Sequence, residues 1–188
     1  RARQTRLRRT VALKVPKPEL CKNAEFLARF EREALTMAKL VHQNIVQIFD
    51  VSVSPIVAVP SFIVMEFVEG TELDRFLIQQ ERDLTVEAVL DLFLQIGDGL
   101  DAAHARGIVH RDIKPANIVV TMPQRLAKIM DFGIAKQASM DNAFQTMDAQ
   151  AIGTPAFMAP EQIEGKAVTP AADIYAFAIM IYRLLTRQ

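Results

Sequence analysis

Strand-forming and helix-forming segments are segregated along this chain of 188 residues. The first third holds three β-rich runs, TVALKV, NIVQIFDV and PSFIVMEFV, with one helical segment after the first run. The remainder is mostly helical, with short β runs only at IVV and LAKIM. This order is typical of an α+β fold. It predicts two unequal lobes that are joined near Phe67 to Gly70.

Caps and apolar spacing predict the main helices. Asn23 can cap a helix that runs to about Lys39, with apolar residues repeating on one face. Thr85 is expected to cap a longer helix that ends near Ala105. The segment ADIYAFAIMIYRLL is almost wholly apolar, which predicts a buried final helix.

The composition excludes several classes of partner. Lysine plus arginine total 22 and aspartate plus glutamate total 22, so the net charge indicates neither a nucleic-acid nor a membrane-surface partner. Arginines cluster at the amino terminus, but no aromatic residue lies among them, which favours a solvated hairpin over a nucleic-acid patch. The single cysteine, Cys21, excludes an intrachain disulfide and fits a reducing compartment. Pro60 and Glu66 interrupt the longest apolar run, so no membrane span is predicted.

The segment HRDIKPANIVV, residues 110–120, places five strong polar side chains beside an apolar β run. A surface loop could carry these side chains without any function. Phosphoryl transfer from a nucleotide, in contrast, needs a cation on the phosphates, oxygen ligands for Mg²⁺ and a carboxylate near the attacking hydroxyl. The segment contains residue types that suit these tasks.

Four motifs occur in the order found in eukaryotic-type protein kinases: VALKV, HRDIKPAN, DFG at residues 131–133 and APE at residues 159–161. The chain resembles a serine/threonine member, because Lys114 follows Asp112 by two positions. The resemblance implies a two-lobed kinase fold, with a small lobe at residues 1–68 and a large lobe at residues 69–188. It also implies ATP as phosphoryl donor, Mg²⁺ (with Mn²⁺ as an alternative metal) and protein substrates with Ser or Thr acceptors.

The resemblance assigns the central roles to four residues. Asp112 would orient the substrate hydroxyl, and a carboxyl group with a pKa near about 4 is too weak a base to do much more. Lys114 would neutralise the phosphoryl group in transfer. Asn117 and Asp131 would ligate the metal through oxygen atoms.

The same resemblance pairs Lys14 with Glu33 and places the Lys14 ammonium group on the α- and β-phosphates of ATP. Two simpler interpretations remain open at this stage. Lys14 could be a solvated lysine on a strand, and Glu33 could be an i,i+4 partner of Arg29 on a wet helix face.

Adenine contacts are implied for five further residues. Met65 would guard the back of the nucleotide pocket. The backbone of Glu66 and Val68 would form hydrogen bonds with the base, between Ala12 above it and Val119 below it. Taken singly, these residues are more often core residues than ligand contacts.

Arg111 precedes Asp112, and in the resembled family such an arginine often pairs with a phosphate on the long polar loop that is predicted at residues 136–154. The candidate phosphorylation sites are Thr146, Ser139 and Thr154. Thr154 would also favour a Ser or Thr acceptor by hydrogen bonding near Asp112 and Lys114. Each of the three could instead be a solvated or turn hydroxyl.

An internal packing column is also implied by the resemblance, formed by Met37, His110 and Phe132 and anchored by Asp173. A buried Asp173 would be costly without partners. We therefore expect it to accept backbone hydrogen bonds from the catalytic loop.

The chain departs from the family pattern at both ends. No glycine precedes Gly70, so the glycine-rich phosphate loop is absent from this sequence, and the later helices of the large lobe are absent too. Because the chain starts at Arg1 and ends at Gln188 after an apolar segment, we expect a piece of a longer protein. Alone, it is expected to bind ATP weakly and to expose apolar surface on its last helix.

Two other functions stay open from sequence: a pseudokinase or ATP-binding scaffold module, and a small-molecule phosphotransferase. Intact Lys14, Asp112, Asn117 and Asp131 disfavour the first, while APE and Thr154 disfavour the second. The kinase domain is expected to be cytoplasmic, although the parent protein could be membrane-anchored. No nucleic-acid partner is expected, and the parent could form a dimer through its small lobe.

Overall fold

The computed structural model describes residues 1–54, 56, 59–80, 84–133 and 155–186. The chain divides into two compact units. The strand-rich unit comprises the described residues among 1–41 and 46–67. The helix-rich unit comprises those among 42–45, 68–133 and 155–186.

A four-stranded antiparallel sheet forms the strand-rich unit. Its strands are β1 (Ala2–Gln4), β2 (Arg9–Lys14), β3 (Ile48–Ser52) and β4 (Phe62–Glu66). Their order in the sheet is β1-β2-β4-β3. The register places Ala12 opposite Met65 and Lys14 opposite Ile63. The three predicted strands are therefore present, but the run NIVQIFDV is a strand only from Ile48 onward.

Helix α1 (Ala24–Ala38) packs beside β3 in the same unit. The Asn23 side chain caps it by accepting hydrogen bonds from the backbone N–H groups of Glu25, at 2.9 Å, and Phe26, at 3.1 Å. These bonds satisfy two of the N–H groups that a helix start leaves without partners. The buried apolar face consists of Phe26, Leu27, Phe30, Ala34 and Met37. Cap, length and face agree with the prediction.

The helix-rich unit combines helices with a small antiparallel sheet. Its elements are β5 (Thr71–Glu72), α2 (Leu73–Gln79), α3 (Val86–His104), β6 (Ile118–Thr121), β7 (Leu126–Ile129), α4 (Pro160–Ile163) and α5 (Pro170–Thr186). The sheet order is β5-β6-β7. Thr85 caps α3 as predicted, because its hydroxyl accepts a hydrogen bond from the Ala88 N–H at 3.3 Å. After α3 the backbone reverses at Gly107, whose φ of 71° suits a residue without Cβ.

Asn44 ties residues 42–45 to the helix-rich unit. Its buried side-chain nitrogen donates to the Ala127 carbonyl at 2.8 Å and to the Gln95 side chain at 3.2 Å. Its backbone carbonyl accepts from the Ile129 N–H at 2.8 Å. These bonds explain why a segment that lies between α1 and β3 in the chain belongs to the other unit.

Helix α5 corrects one prediction. Its apolar composition predicts burial all round, yet only a stripe is buried, formed by Ala172, Asp173, Ala176 and Met180. Several large side chains on other faces are more than two-fifths exposed: Ile174, Tyr175, Tyr182 and Leu185. The expectation that this helix exposes apolar surface is confirmed. Among the helices of the described residues, none is long and apolar enough to cross a membrane.

Candidate active site

Asp173 organises the loop that carries the HRD motif. One carboxylate oxygen accepts hydrogen bonds from the His110 N–H at 2.7 Å and from the His104 ring at 2.8 Å. The other accepts from the Arg111 N–H at 2.7 Å. With only 1% of Asp173 exposed, these donors compensate the lost hydration of the charge. The predicted anchoring of the loop by Asp173 is confirmed.

His110 lies buried at the centre of this loop. Its Nε2 lies 2.8 Å from the carbonyl of Met130 and must therefore donate, whereas Nδ1 accepts from the Asp112 N–H at 3.2 Å. These partners fix a neutral imidazole with its proton on Nε2. Burial lowers the pKa of His110, against the opposing influence of the nearby carboxylates. The ring also packs against Phe132, with 4.5 Å between centroids, as the sequence predicts.

Asp112, Lys114 and Asn117 converge within the same loop. The Lys114 ammonium lies 3.2 Å from Oδ2 of Asp112. The Asn117 side-chain nitrogen donates to the same oxygen at 3.0 Å and to the Asp112 backbone carbonyl at 2.7 Å. The Asp112 side chain keeps 15% of its surface exposed, so a partly solvated carboxylate is held in one orientation. Because both bonds from Asn117 use its nitrogen, its side-chain oxygen remains outside them.

The pairing of β6 with β7 brings Asp131 close to Asn117. Ile118 lies opposite Ile129, and the Met130 N–H donates to the Asn117 carbonyl at 2.8 Å. Asp131 follows directly, exposed and with a left-handed φ of 54°, while the next residue, Phe132, is buried. An amide oxygen and a carboxylate are hard donors of the kind that Mg²⁺ prefers, so these residues fit the metal. Among the described residues, no group of three or more His, Cys, Asp or Glu side chains offers another metal site.

Two residues that support this site were not identified from sequence. Gln162 is buried, donates to the Arg111 carbonyl at 2.9 Å and accepts from the Ala159 N–H at 3.1 Å, which ties the start of α4 to the HRD loop. A Gln three positions after a helix N-cap is a known signal for such back-bonding. His104 contacts Asp173 across 69 positions of sequence, and no local pattern indicates that contact.

The candidate nucleotide-binding residues of the strand-rich unit lie on β2, β4 and α1. Lys14 ends β2 and is half-buried, as is Glu33 on α1. Their pairing stays a prediction. Ala12 and Met65 are cross-strand partners, and Glu66 closes β4 with its N–H bonded to the Gln47 carbonyl at 2.9 Å.

The remaining candidates lie either in the helix-rich unit or outside the described residues. Val68 is the first residue of the longest segment of the helix-rich unit, and Val119 is a buried residue of β6. Arg111 has a left-handed φ of 66°, and its Nε is buried. Ser139, Thr146 and Thr154 lie outside the described residues, as does the predicted loop at 136–154.

Comparison with known proteins gives one consistent result. The family described as "Protein kinase domain" matches residues 1–188. A probable serine/threonine-protein kinase of Streptomyces coelicolor is 41% identical over 187 residues, which cover 98% of this chain and 27% of that protein. Serine/threonine-protein kinase PknB of Mycobacterium tuberculosis is 37% identical over 188 residues, which cover 100% of this chain and 30% of that protein.

Solved structures agree with this result. The crystal structure of the Mycobacterium tuberculosis PknI kinase domain matches with a TM-score of 0.70 and 31% identity, covering 93% of this chain and 62% of that chain. The chain therefore belongs to the protein kinase family, and its closely similar relatives are bacterial serine/threonine kinases. It spans less than a third of the length of the curated relatives named above.

Proposed function

We propose that the chain provides the phosphoryl-transfer site of an ATP-dependent serine/threonine protein kinase. The observation that carries this proposal is the convergence of Lys114 and Asn117 on the carboxylate of Asp112, next to the metal-compatible Asp131. Phosphoryl transfer is largely positioning and charge neutralisation, and this arrangement suits both tasks.

The proposed roles follow from the chemistry of each side chain. Asp112, held by two donors, orients the acceptor hydroxyl and takes up its proton late in the reaction. Lys114 supplies positive charge beside that carboxylate. Asn117 and Asp131 would hold Mg²⁺ or Mn²⁺, which neutralises phosphate charge when bound. Lys14, supported by Glu33, would hold the α- and β-phosphates.

The adenine site is proposed at Ala12, Met65, Glu66, Val68 and Val119. We assign residues 1–68 to the small lobe and residues 69–188 to the large lobe. The small lobe then contains the strand-rich unit together with residues 42–45 and Val68, and the large lobe contains the rest of the helix-rich unit. Arg111 is proposed to pair with a phosphorylated side chain at Thr146, Ser139 or Thr154.

The substrates would be cytoplasmic proteins with Ser or Thr acceptors. The parent protein would form a dimer through its small lobe.

The test is a substrate panel under single-turnover conditions, with the chain in excess over γ-¹⁸O-labelled ATP and Mg²⁺. Mass spectrometry should find labelled phosphate on Ser or Thr of peptides and proteins, and none on sugars, lipids or nucleosides. Exclusive labelling of a small molecule would favour the phosphotransferase alternative. ATP binding without transfer to any acceptor would favour the scaffold alternative, and either result would contradict the proposal.

A further inference from the structure

Gln162 uses both ends of its side-chain amide, and the two ends bind different parts of the helix-rich unit. Its oxygen accepts a hydrogen bond from the Ala159 N–H at 3.1 Å, at the start of α4. Its nitrogen donates to the Arg111 carbonyl at 2.9 Å. Because one partner is an N–H and the other a carbonyl, the partners fix which end of the amide is the oxygen. Only 5% of Gln162 is exposed, so water has little access to either bond.

The Arg111 carbonyl belongs to the peptide group that leads into Asp112. The other end of this peptide group is the Asp112 N–H, which donates to Nδ1 of His110 at 3.2 Å. Gln162 and His110 therefore hold the two ends of one peptide plane. Asp173 holds the preceding plane, because its carboxylate accepts a hydrogen bond from the Arg111 N–H at 2.7 Å.

The backbone of Arg111 needs this support, because its φ of 66° lies in the left-handed region. A residue with a Cβ is disfavoured in that region and keeps such a conformation only where its surroundings hold it. Without a donor on its carbonyl, Arg111 could relax toward an ordinary φ and rotate the peptide group before Asp112. A displacement of a reacting group by about 1 Å can lower a rate by about 10²-fold. The orientation of the Asp112 carboxylate thus depends on a bond that Asp112 itself does not make.

We propose that Gln162 is a positioning residue for phosphoryl transfer, because its amide nitrogen holds the left-handed Arg111 backbone in the conformation that presents Asp112 to the acceptor hydroxyl. This inference rests on the proposed kinase function. It adds a residue that lies 51 positions further along the chain and acts on the reaction through Arg111. The start of α4 and the HRD loop are thereby coupled.

The test measures single-turnover transfer to a Thr peptide by Gln162→Met and Gln162→Glu. Methionine has a similar length and no N–H donor, so transfer should fall by about 10- to 100-fold with the affinity for ATP unchanged. The carboxyl group of Gln162→Glu accepts from the Ala159 N–H in either protonation state, but it can donate to the Arg111 carbonyl only when it is protonated.

The activity of Gln162→Glu should therefore depend on pH in a way that the wild type does not. Burial raises the pKa of a carboxyl group, so we expect the introduced group to titrate between about pH 5.5 and 9. Transfer by Gln162→Glu, divided by the wild-type rate at the same pH, should fall as the pH rises through this range. The division removes the titration of side chains that both chains share near this bond: His110, Asp112 and Asp173.

A cap on α4 alone would give a different result. Glu serves as well as Gln at this position of a helix cap, so Gln162→Glu would then match the wild type at every pH, and that result would overturn the proposal. Gln79→Glu, at the exposed end of α2, is the control for an added carboxyl group and should match the wild type throughout. If Gln162→Glu fails to melt cooperatively, Gln162→Met decides.

A double-mutant cycle with Asp112→Asn shows whether the effect reaches the reaction through Asp112. Two residues that act through one contact are not additive. Gln162→Met should therefore lower transfer by less than about threefold in the Asp112→Asn background. A loss as large as in the wild-type background would overturn the proposal.

Hydrogen exchange of the Asp112 N–H, followed by NMR without ATP, separates this inference from the kinase proposal. The exchange should be about tenfold faster in Gln162→Met than in the wild type at the same pH, because the peptide group has lost one of its two partners. Unchanged exchange would overturn the inference. The expected change in exchange, found in a wild-type chain that transfers no phosphate, would support the hold on Arg111 and contradict the kinase function.

Discussion

The two units hold their candidate functional residues in different ways. In the helix-rich unit, Asp112 and Asn117 are fixed by hydrogen bonds between polar groups, many of them buried, and Asp173 lies at the centre of that network. In the strand-rich unit, Lys14 takes its position from the register of β2 against β4, and Glu33 from the orientation of α1 on its apolar face.

This difference predicts different sensitivities. A hydrogen-bond network in a low-dielectric interior loses much of its stabilising effect when one member is removed. The remaining polar groups stay buried without a partner and keep their desolvation cost. Positions that are set by strand register and apolar packing are sensitive to changes in the volume of buried side chains. They tolerate polar substitutions on exposed faces better. Substitutions in the two units can therefore show whether the functional geometry depends chiefly on polar contacts or on packing.

The largest effect is expected at Asp131. Asp131→Asn removes the negative charge from the proposed metal site, and phosphoryl transfer should fall by about 10³-fold, which corresponds to about 4 kcal/mol. Steady-state assays over a range of Mg²⁺ concentrations would measure this loss. Asp98→Asn, on the exposed face of α3, is the control and should retain full activity. Equal activity of Asp131→Asn and the wild type would contradict the proposed role of Asp131 as a metal ligand.

A large loss of stability is expected at Asp173. Asp173→Ala leaves the N–H groups of His110 and Arg111 buried without their acceptor, which should lower the free energy of unfolding by about 3 kcal/mol. Asp101→Ala, on an exposed position of α3, should cost less than about 0.5 kcal/mol. Urea unfolding monitored by circular dichroism measures both. A loss at Asp173 no larger than at Asp101 would show that the network adds nothing to stability.

Acid should weaken the helix-rich unit through His110. Because burial lowers the pKa of His110 in the folded state, the unfolded chain binds the proton first as the pH falls below about 6.5. The contribution of the neutral His110 ring to the free energy of unfolding is therefore complete above about pH 6.5. Below that pH it decreases by at most about 1.4 kcal/mol for each pH unit. Unfolding between pH 5 and 8 should show this slope, and His110→Asn should remove it. An identical slope in the variant would show that the pH dependence of stability comes from groups other than His110.

The smallest effects are expected at the helix caps, one in each unit. Asn23→Ala removes an acceptor of two N–H groups and should cost about 1 kcal/mol, whereas Thr85→Ala removes one longer bond and should cost about 0.5 kcal/mol. Thermal unfolding of both variants gives the order. Asn23→Asp, which keeps an acceptor oxygen, should restore nearly all of the stability, and no recovery would contradict the capping role.

Local signals account for what was predictable. The cap at Asn23 and the apolar spacing of α1 depend on a few neighbouring residues, and the structure reproduces both. The need of a buried carboxylate for donors similarly predicts the bonds that Asp173 accepts. The order of the four motifs was sufficient to identify the family, because it is a pattern of many residues along the chain rather than of one residue.

Non-local packing accounts for what was missed. The contact of His104 with Asp173 and the bond from Gln162 to Arg111 join residues that are far apart in sequence, so no periodic pattern indicates them. Burial of α5 was overestimated for a related reason. Apolar composition shows that a helix can be buried, but only the packing around it decides which faces are covered.

The central claim is that the helix-rich unit holds Asp112 in position to orient an acceptor hydroxyl. Asp112→Asn keeps an oxygen for the donors of Lys114 and Asn117, so the loop should stay folded while the chemistry is lost. The decisive measurement is single-turnover transfer from ATP to a Thr peptide, together with the affinity for ATP. We expect transfer to fall by about 10² to 10⁴-fold with ATP affinity unchanged. A variant that transfers phosphate within about threefold of the wild-type rate, well short of that range, would contradict the claim.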